Sequence, residues 1–491
     1  MDLTDTKTLD KQLDAMLRQP NKANNAIIAE LAALLKQHPN YSRGHNELGV
    51  LYYQYGEKHK ARDCFQAAVS LNSQYPRALT NLGACHNDLG DNAQARAYYE
   101  QALDIDPRLA DAWGNLGKLY NENREYENAA YCYERALQLK RAARFIRGLA
   151  SAYRLSGRLG RAMALFAEAI NLEPNDAFSH TAIAAIHFYR EEYPEALREY
   201  EWRWQTQSMQ EHQQKYPALF AKPAYQGESL RGKTLLVHTE QGYGDNLLFA
   251  RYINHIKARA DRLILWCWPG LEALFRHNFD ADLITSDSDA LPHFDVQLPL
   301  LSIPYHVDPR LETMAQFAPY LSAPKPPRPL AGLEPRKLNI GLVWSCDHKG
   351  FDYAYKKLPL TAIAPLLAVA NTRFFSLQLA PDRQELLASP FRDQIIDLAP
   401  QLTDFLATAQ AIQQLDLVIS VDTAVAHLAA AMGKPVWILL KKNPDWRWHG
   451  YDGHPLWYPQ ARIFCQYPLD DWENVIKRAG KELHNMAAQH V

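Results

Sequence analysis

A leucine or isoleucine returns at Leu48, Leu82, Leu116, Leu149 and Ile183, at steps of 34, 34, 33 and 34 residues. A fixed period of this length marks stacked units, each burying its apolar face only against its neighbours. Gly49, Gly83 and Gly117 follow the first three anchors, and Ala61, Ala95, Ala129, Ala162 and Ala196 recur at one offset after all five. Bulky residues repeat in step at Phe65, Tyr99, Tyr133, Phe166 and Tyr200. Small residues let two antiparallel helices approach, aromatic residues fill the space between successive hairpins, and Pro107 and Pro174 stop second helices.

This pattern resembles the tetratricopeptide repeat (TPR) over residues 42–206, with a degenerate leading unit from about residue 8 to Pro39. The expected first domain is a TPR α-solenoid over residues 1–206, with about five repeats after the leading unit. Ser73 and Arg141 stand where a terminating proline is expected, and Ala150 and Ala184 replace the repeat glycine in the last two units. A stack of hairpins has no chemistry of its own but offers a groove for an extended peptide or a partner helix. Tyr52, Tyr53, Arg62 and Arg96 are candidates to line it, and a spacer or dimerisation module is the plainer alternative.

Charge excludes some partners. With 53 Lys and Arg against 55 Asp and Glu, the formal charge is -2, so no global field draws the chain to nucleic acid. The most apolar stretch, residues 415–432, carries Asp416, Asp422 and His427, which a bilayer penalises, so no integral membrane segment is expected. The first residues lack the basic and apolar regions of a secretory leader, and six scattered cysteines form no zinc-spaced cluster. The expected compartment is the cytoplasm.

Past Trp202-Arg203-Trp204 the period changes. Residues 233–238, 263–268, 338–344, 373–377, 415–420 and 435–440 read as buried strands, and 245–256 and 424–432 as helices between them. Prolines 319, 324, 326, 327, 329 and 335 make residues 318–336 a stiff linker between two α/β halves, at 225–320 and 337–491. The expected fold is therefore an α-solenoid followed by two Rossmann-like lobes. In open α/β sheets ligands bind beyond the carboxyl ends of strands, which singles out two loops. One is Thr239-Glu240-Gln241-Gly242-Tyr243-Gly244-Asp245, where Gln241, Gly242 and Gly244 shape a tight turn and Asp245 opens a helix. The other is Ser420-Val421-Asp422-Thr423-Ala424-Val425-Ala426-His427, a helix start able to hold phosphate.

Gly242 to Asp245 followed by Leu247-Leu248-Phe249-Ala250-Arg251-Tyr252, with Asp422-Thr423-Ala424 and His427-Leu428-Ala429 downstream, resembles the heptosyltransferase-like glycosyltransferases of family 9, which have a GT-B fold. Coverage is roughly residues 225–490, and the fusion behind TPRs resembles bacterial TPR-glycosyltransferases, among them enzymes implicated in flagellin glycosylation. The resemblance implies that residues 225–320 form the acceptor-side lobe and residues 337–491 the lobe that takes the nucleotide sugar. It implies inverting transfer of a hexosyl, heptosyl or nonulosonyl group to a hydroxyl, with Asp245 as general base; a helix cap is the competing role for Asp245. Lys356 or Lys357 would neutralise the leaving phosphate, Thr423 and backbone N–H groups would hold it, and Asp422 would accept from sugar hydroxyls or cap the helix. His427 is either a donor contact or a core histidine, and Gln378 a reader of the nucleotide base. The closing helix, about residues 471–486, resembles the last GT-B helix, which crosses back to the first lobe.

No cofactor and no metal is expected. Asp280-x-Asp282 and Asp287-x-Asp289 spell the metal motif of another glycosyltransferase fold, but so does Asp104-x-Asp106 inside a repeat. Pro444-Asp445-Trp446-Arg447-Trp448 is aromatic enough to wall the donor site, or to be a structural cluster. The expected acceptor is Ser or Thr of a protein in the TPR groove; alternatives are a glycan or lipid-linked acceptor, or a non-catalytic TPR adaptor.

Overall fold

The computed structural model describes residues 3–18, 24–307, 319–346, 356–379, 381–467 and 471–490. Residues 19–23 of the leading repeat and the first linker residue, 318, lie outside the described residues. The chain divides into two compact units, residues 1–179 and 180–491.

The first unit is helical throughout, from Leu3–Leu17 and Asn24–Gln37 through pairs such as Ser42–Gln54 with Lys58–Leu71 and Ala143–Leu155 with Leu159–Leu172. The small repeat positions are its core: Ala61, Ala95, Ala129 and Ala162 are fully buried, against Phe65, Tyr99, Tyr133 and Phe166. Gly83 abuts the Tyr99 ring, where an added Cβ would stand 2.7 Å from a ring carbon. Polar links join successive repeats at the repeat spacing. Asn81 donates to Asn46 (2.9 Å), Tyr53 to Asp88 (2.5 Å) and Asn87 to Glu122 (2.9 Å). Tyr53 is thereby tied to the next repeat, and Arg96 bonds Glu100 one turn away (2.8 Å).

The second unit begins inside the helix Ala177–Tyr189, so the last hairpin, closed by Tyr193–Tyr200, is built into it. Phe188 of that hairpin stacks on Trp446 (4.0 Å between ring centres), and Tyr193 packs edge-on to Trp457. Two parallel sheets follow. In the first, β1 (Thr234–His238), β2 (Arg262–Trp266), β3 (Leu283–Thr285) and β4 (Val296–Pro299) lie in the order β3-β2-β1-β4. In the second, β5 (Leu338–Val343), β6 (Thr372–Ser376), β7 (Ile395–Asp397), β8 (Leu417–Val421), β9 (Val436–Leu440) and β12 (Ala461–Cys465) lie in the order β12-β9-β8-β5-β6-β7. A short hairpin, β10 (Gly450–Tyr451) with β11 (His454–Pro455), stands apart. Every residue of β5, β8 and β9 is buried, as expected of parallel strands covered on both faces.

The predicted helix at 245–256 is broken in two, Tyr243–Phe249 and Ile253–Lys257, by a 3₁₀ turn at Ala250–Tyr252. At the break the Arg251 guanidinium donates to the Leu248 carbonyl (3.0 Å) and lies over the Tyr320 and Tyr458 rings. The proline-rich linker is no free spacer. The Tyr320 N–H bonds the Ala431 carbonyl (2.9 Å), its hydroxyl bonds the Leu247 carbonyl (2.9 Å), and Leu321 and Leu330 enter the core shared by both lobes. The closing helix corrects an expectation. It runs Trp472–His490 and buries Val475, Ile476, Ala479 and Leu483 with Leu338, Leu366 and Phe464 of the second lobe, because its apolar stripe matches that core.

Candidate functional site

Two helices that start right after parallel strands meet at their N-termini, Tyr243–Phe249 after β1 and Ala424–Ala431 after β8. A close approach is required, and Gly244 supplies it: a Cβ there would lie 2.8 Å from Cδ2 of His427. Gln241 turns the chain with a left-handed backbone (φ 53°), a conformation that costs a non-glycine residue about 1–3 kcal/mol. Its side-chain carbonyl accepts from the Tyr200 hydroxyl (3.0 Å), which fixes the turn to the last repeat hairpin. Gly242 precedes the helix, and its N–H donates to Asp245 Oδ2 (3.2 Å), so Asp245 does cap the helix.

Asp245 has a second engagement. Arg447, from the segment after β9, sets Nε and Nη2 both 2.6 Å from Asp245 Oδ1, and donates from Nη1 to Asp445 (2.7 Å). The guanidinium is one-sixth exposed and lies over the Trp446 ring; burial works against its charge, but Asp245 and Asp445 hold its pKa well above the ordinary value.

Asp422 is paired in the same manner. Lys356 Nζ lies 2.7 Å from its Oδ2, and the Trp448 indole N–H donates to its Oδ1 (2.6 Å). Burial opposes the charge, yet the Lys356 ammonium and that N–H hold the carboxyl down at about 2. Thr423 caps its helix, accepting from the Ala426 N–H (3.3 Å), with its hydroxyl 2.8 Å from Ser420. His427 is buried, stacks on Trp448 (4.3 Å) and lies 3.2 Å from the Tyr458 hydroxyl. Burial pushes its pKa down to about 4, against the pull of Asp422, so the ring is neutral near pH 7.

Asp245, Gly244, Asp422, Lys356 and His427 are thus brought together, whereas two candidates stand in other bonds. Lys357 donates to Asp382 (2.7 Å) and pairs with Glu385 (3.1 Å); these carboxylates outweigh burial and raise its pKa above the ordinary lysine value. Gln378 is buried and accepts the backbone N–H groups of Trp344 (3.2 Å) and Ser345 (3.0 Å), tying strand ends. Asp282 accepts from the Leu263 N–H and Lys257, and Asp287 from the N–H groups two and three residues on, so these acids are engaged locally. Tyr458 drew no role from its spacing, and Arg447 and Trp448 only that of a donor-site wall or a structural cluster. The arginine between two tryptophans was a visible signal, but nothing local points it at a carboxylate 202 residues away.

Below the Asp245 loop lies a buried ion pair. Arg203 donates Nε to Glu240 Oε2 (2.9 Å) and Nη2 to Oε1 (2.6 Å), and also reaches Ser302 (2.7 Å) and Glu201 (2.8 Å). It locks the β1 loop to the turn after the last repeat hairpin.

Comparison with known proteins agrees with this division. TPR families match residues 42–75, 74–142 and 115–179, and glycosyltransferase family 9 (heptosyltransferase) matches residues 370–477. The chain thus carries TPRs followed by a family 9 glycosyltransferase segment. It is 27% identical over 311 residues to Protein FlbA of Caulobacter vibrioides, which aligns over 55% of this chain and 51% of FlbA. The chain spans about half the length of that curated relative. Among solved structures it is similar to Pseudomonas aeruginosa pilF (21% identity, 33% of this chain and 74% of that one, TM-score 0.32). It is also similar to a thermophilic TPR protein of Thermus thermophilus (22%, 37% and 97%, TM-score 0.31). Scores this low carry no structural argument. No helix among the described residues is long and apolar enough to cross a membrane.

Proposed function

We propose that the protein is an inverting glycosyltransferase that moves a sugar from a nucleotide sugar to a hydroxyl, on Ser or Thr of a protein such as flagellin bound by the TPR groove. The observation that carries this is the meeting of two helix starts, one from each lobe, through Gly244 and His427 beyond the carboxyl ends of β1 and β8, with Asp245 at one and Asp422 at the other. Asp245 Oδ2 takes the acceptor proton as the acceptor oxygen bonds the anomeric carbon. The bond from that carbon to phosphate breaks, and its electron pair leaves with the nucleotide. Lys356, the only one of the two lysines on Asp422, supplies the cation for the leaving phosphate, aided by Thr423 and the N-terminus of Ala424–Ala431. Asp422 and His427 orient the sugar.

The test is thermal stability against UDP-, GDP-, ADP-, dTDP- and CMP-sugars and the free nucleotides. A ligand of the native state at a hundredfold excess over Kd stabilises by about 2.7 kcal/mol, a shift of a few degrees. One nucleotide class should shift the protein, and Lys356→Ala should remove the shift. A second reading, a TPR adaptor with an inactive transferase body, draws on the pairing of Lys356 and Arg447 with Asp422, Asp245 and Asp445. A broad panel with no shift favours it.

A further inference from the structure

We propose that Arg447 is the positioning residue of the base: it reaches across from the second lobe, holds one oxygen of Asp245, and leaves the other for the acceptor proton. This rests on the transferase reading above. Nε donates to Oδ1 (2.6 Å) and Nη2 stands 2.6 Å from the same oxygen, rather than one nitrogen on each oxygen as in a fork-to-fork pair. Among the described residues Oδ2 has a single hydrogen bond, 3.2 Å from the Gly242 N–H. An ionised carboxylate has roughly four acceptor sites, so Oδ2 keeps room for a hydroxyl.

Arg447 is itself fixed on two sides. Asp445 Oδ1 accepts its Nη1 (2.7 Å) and its backbone N–H (3.1 Å), and the guanidinium lies 4.4 Å over the Trp446 ring, which stacks on Phe188. One guanidinium between two carboxylates leaves the trio with one net negative charge, the charge that an acceptor proton neutralises. Because Asp245 belongs to the first lobe and Arg447 to the second, the base acquires its orientation only where this contact holds. In the transfer, the acceptor O–H proton passes to Oδ2, the oxygen bonds the anomeric carbon, and the sugar–phosphate bond breaks with its electrons leaving on the nucleotide; Arg447 exchanges no proton.

The test uses the full chain and the nucleotide sugar that the stability panel identifies, with release of free nucleotide as readout. Misplacing a reacting group by about 1 Å costs about 10²-fold, so Arg447→Gln should lower kcat by about that factor with the donor KM within about threefold. Arg447→Lys, which can hold one oxygen as a point charge, should recover about tenfold. A raised KM with kcat intact would make Arg447 a phosphate ligand and overturn the proposal, as would an unchanged kcat. A second measurement needs no substrate: denaturation midpoints of Asp245→Asn, Arg447→Gln and the double variant. The double variant should fall no further than the worse single one, and strict additivity would remove the pair and the proposal with it. A wild type that shifts with no donor removes the transferase reading, while this cycle still reports the contact.

Discussion

The two units hold their polar groups together in opposite ways. In the first, bonds such as Tyr53–Asp88 and Asn87–Glu122 join residues 35 apart, one repeat to the next, and ion pairs such as Arg158 with Glu127 lie near solvent. In the second, Arg447 reaches Asp245 across 202 residues, and Arg203 and Glu240 are buried almost completely. A repeat array sums nearest-neighbour terms. A body whose ion pairs span its sequence stands or falls as one.

The largest effect should come from Arg203→Met, which strands the Glu240 carboxylate without its cation. Breaking a buried pair from one side costs about 3–5 kcal/mol. Denaturation followed by tryptophan emission should show the transition of residues 180–491 move by that amount while that of residues 1–179 stays in place. Replacing both partners by apolar residues should recover most of the loss, and a shift of both transitions would join the two units thermodynamically.

Acid acting through His427 alone should cost the second unit nearly as much. His427 binds a proton near pH 6.5 when unfolded and only near about 4 when folded. Its contribution is therefore complete above pH 6.5 and is lost as pH falls toward 4, by about 3 kcal/mol over the window at about 1.4 per pH unit. His238, pushed down to about 4 by burial although Gln297 bonds its ring, adds in the same direction. Among the described residues the first unit buries no histidine, so its midpoint should stay nearly level over this range. His427→Gln should flatten the slope of the second unit by about one proton.

These contrasts also explain what could be read from the residues alone. The repeat was legible because its information is local and periodic: Leu82, Gly83, Ala95 and Tyr99 recur at offsets that one hairpin fixes, and they are buried. Strands β5, β8 and β9 were legible because they are largely apolar runs, with only Asn339 and Ser420 polar, whereas the short β3, β4 and β7 and the edge strand β12 drew no reading. Asp245 and Asp422 could be singled out, since a carboxylate at a helix start after a strand is a local pattern. Their partners could not. Lys356 and Lys357 are adjacent and chemically alike, yet one pairs with Asp422 and the other with Asp382, partners that only the fold brings to them. The closing helix has one apolar stripe that would suit either lobe, and only the packed core selects the second.

A smaller effect, confined to the first unit, should follow Gly148→Ala. Alanine favours a helix interior over glycine by up to about 1 kcal/mol. Here the added Cβ would stand 2.2 Å from Cζ and 2.3 Å from Cε1 of Tyr133, atoms of a buried ring that cannot swing aside. Overpacking costs about 1–3 kcal/mol, so the clash should win by up to about 2 kcal/mol. Tyr133→Leu should turn the same Gly148→Ala change neutral or favourable, because the obstructing ring is gone.

The smallest effect tests the solvent-facing side of the comparison. Arg158 and Glu127 meet at 2.8 Å with side chains 42% and 72% exposed, so water screens the pair and each long side chain loses rotamer freedom to keep it. Such pairs contribute about 0.2–1 kcal/mol. The guanidinium also covers the Tyr153 ring, 5.3 Å from its centre, a contact that Glu127 does not share. Glu127→Gln should therefore cost less than Arg158→Ala, and 1 M salt should erase the first loss but not the second. If Glu127→Gln instead lowered the midpoint as far as Arg203→Met does, the contrast between a screened repeat surface and a buried ionic core would fail at its weakest point.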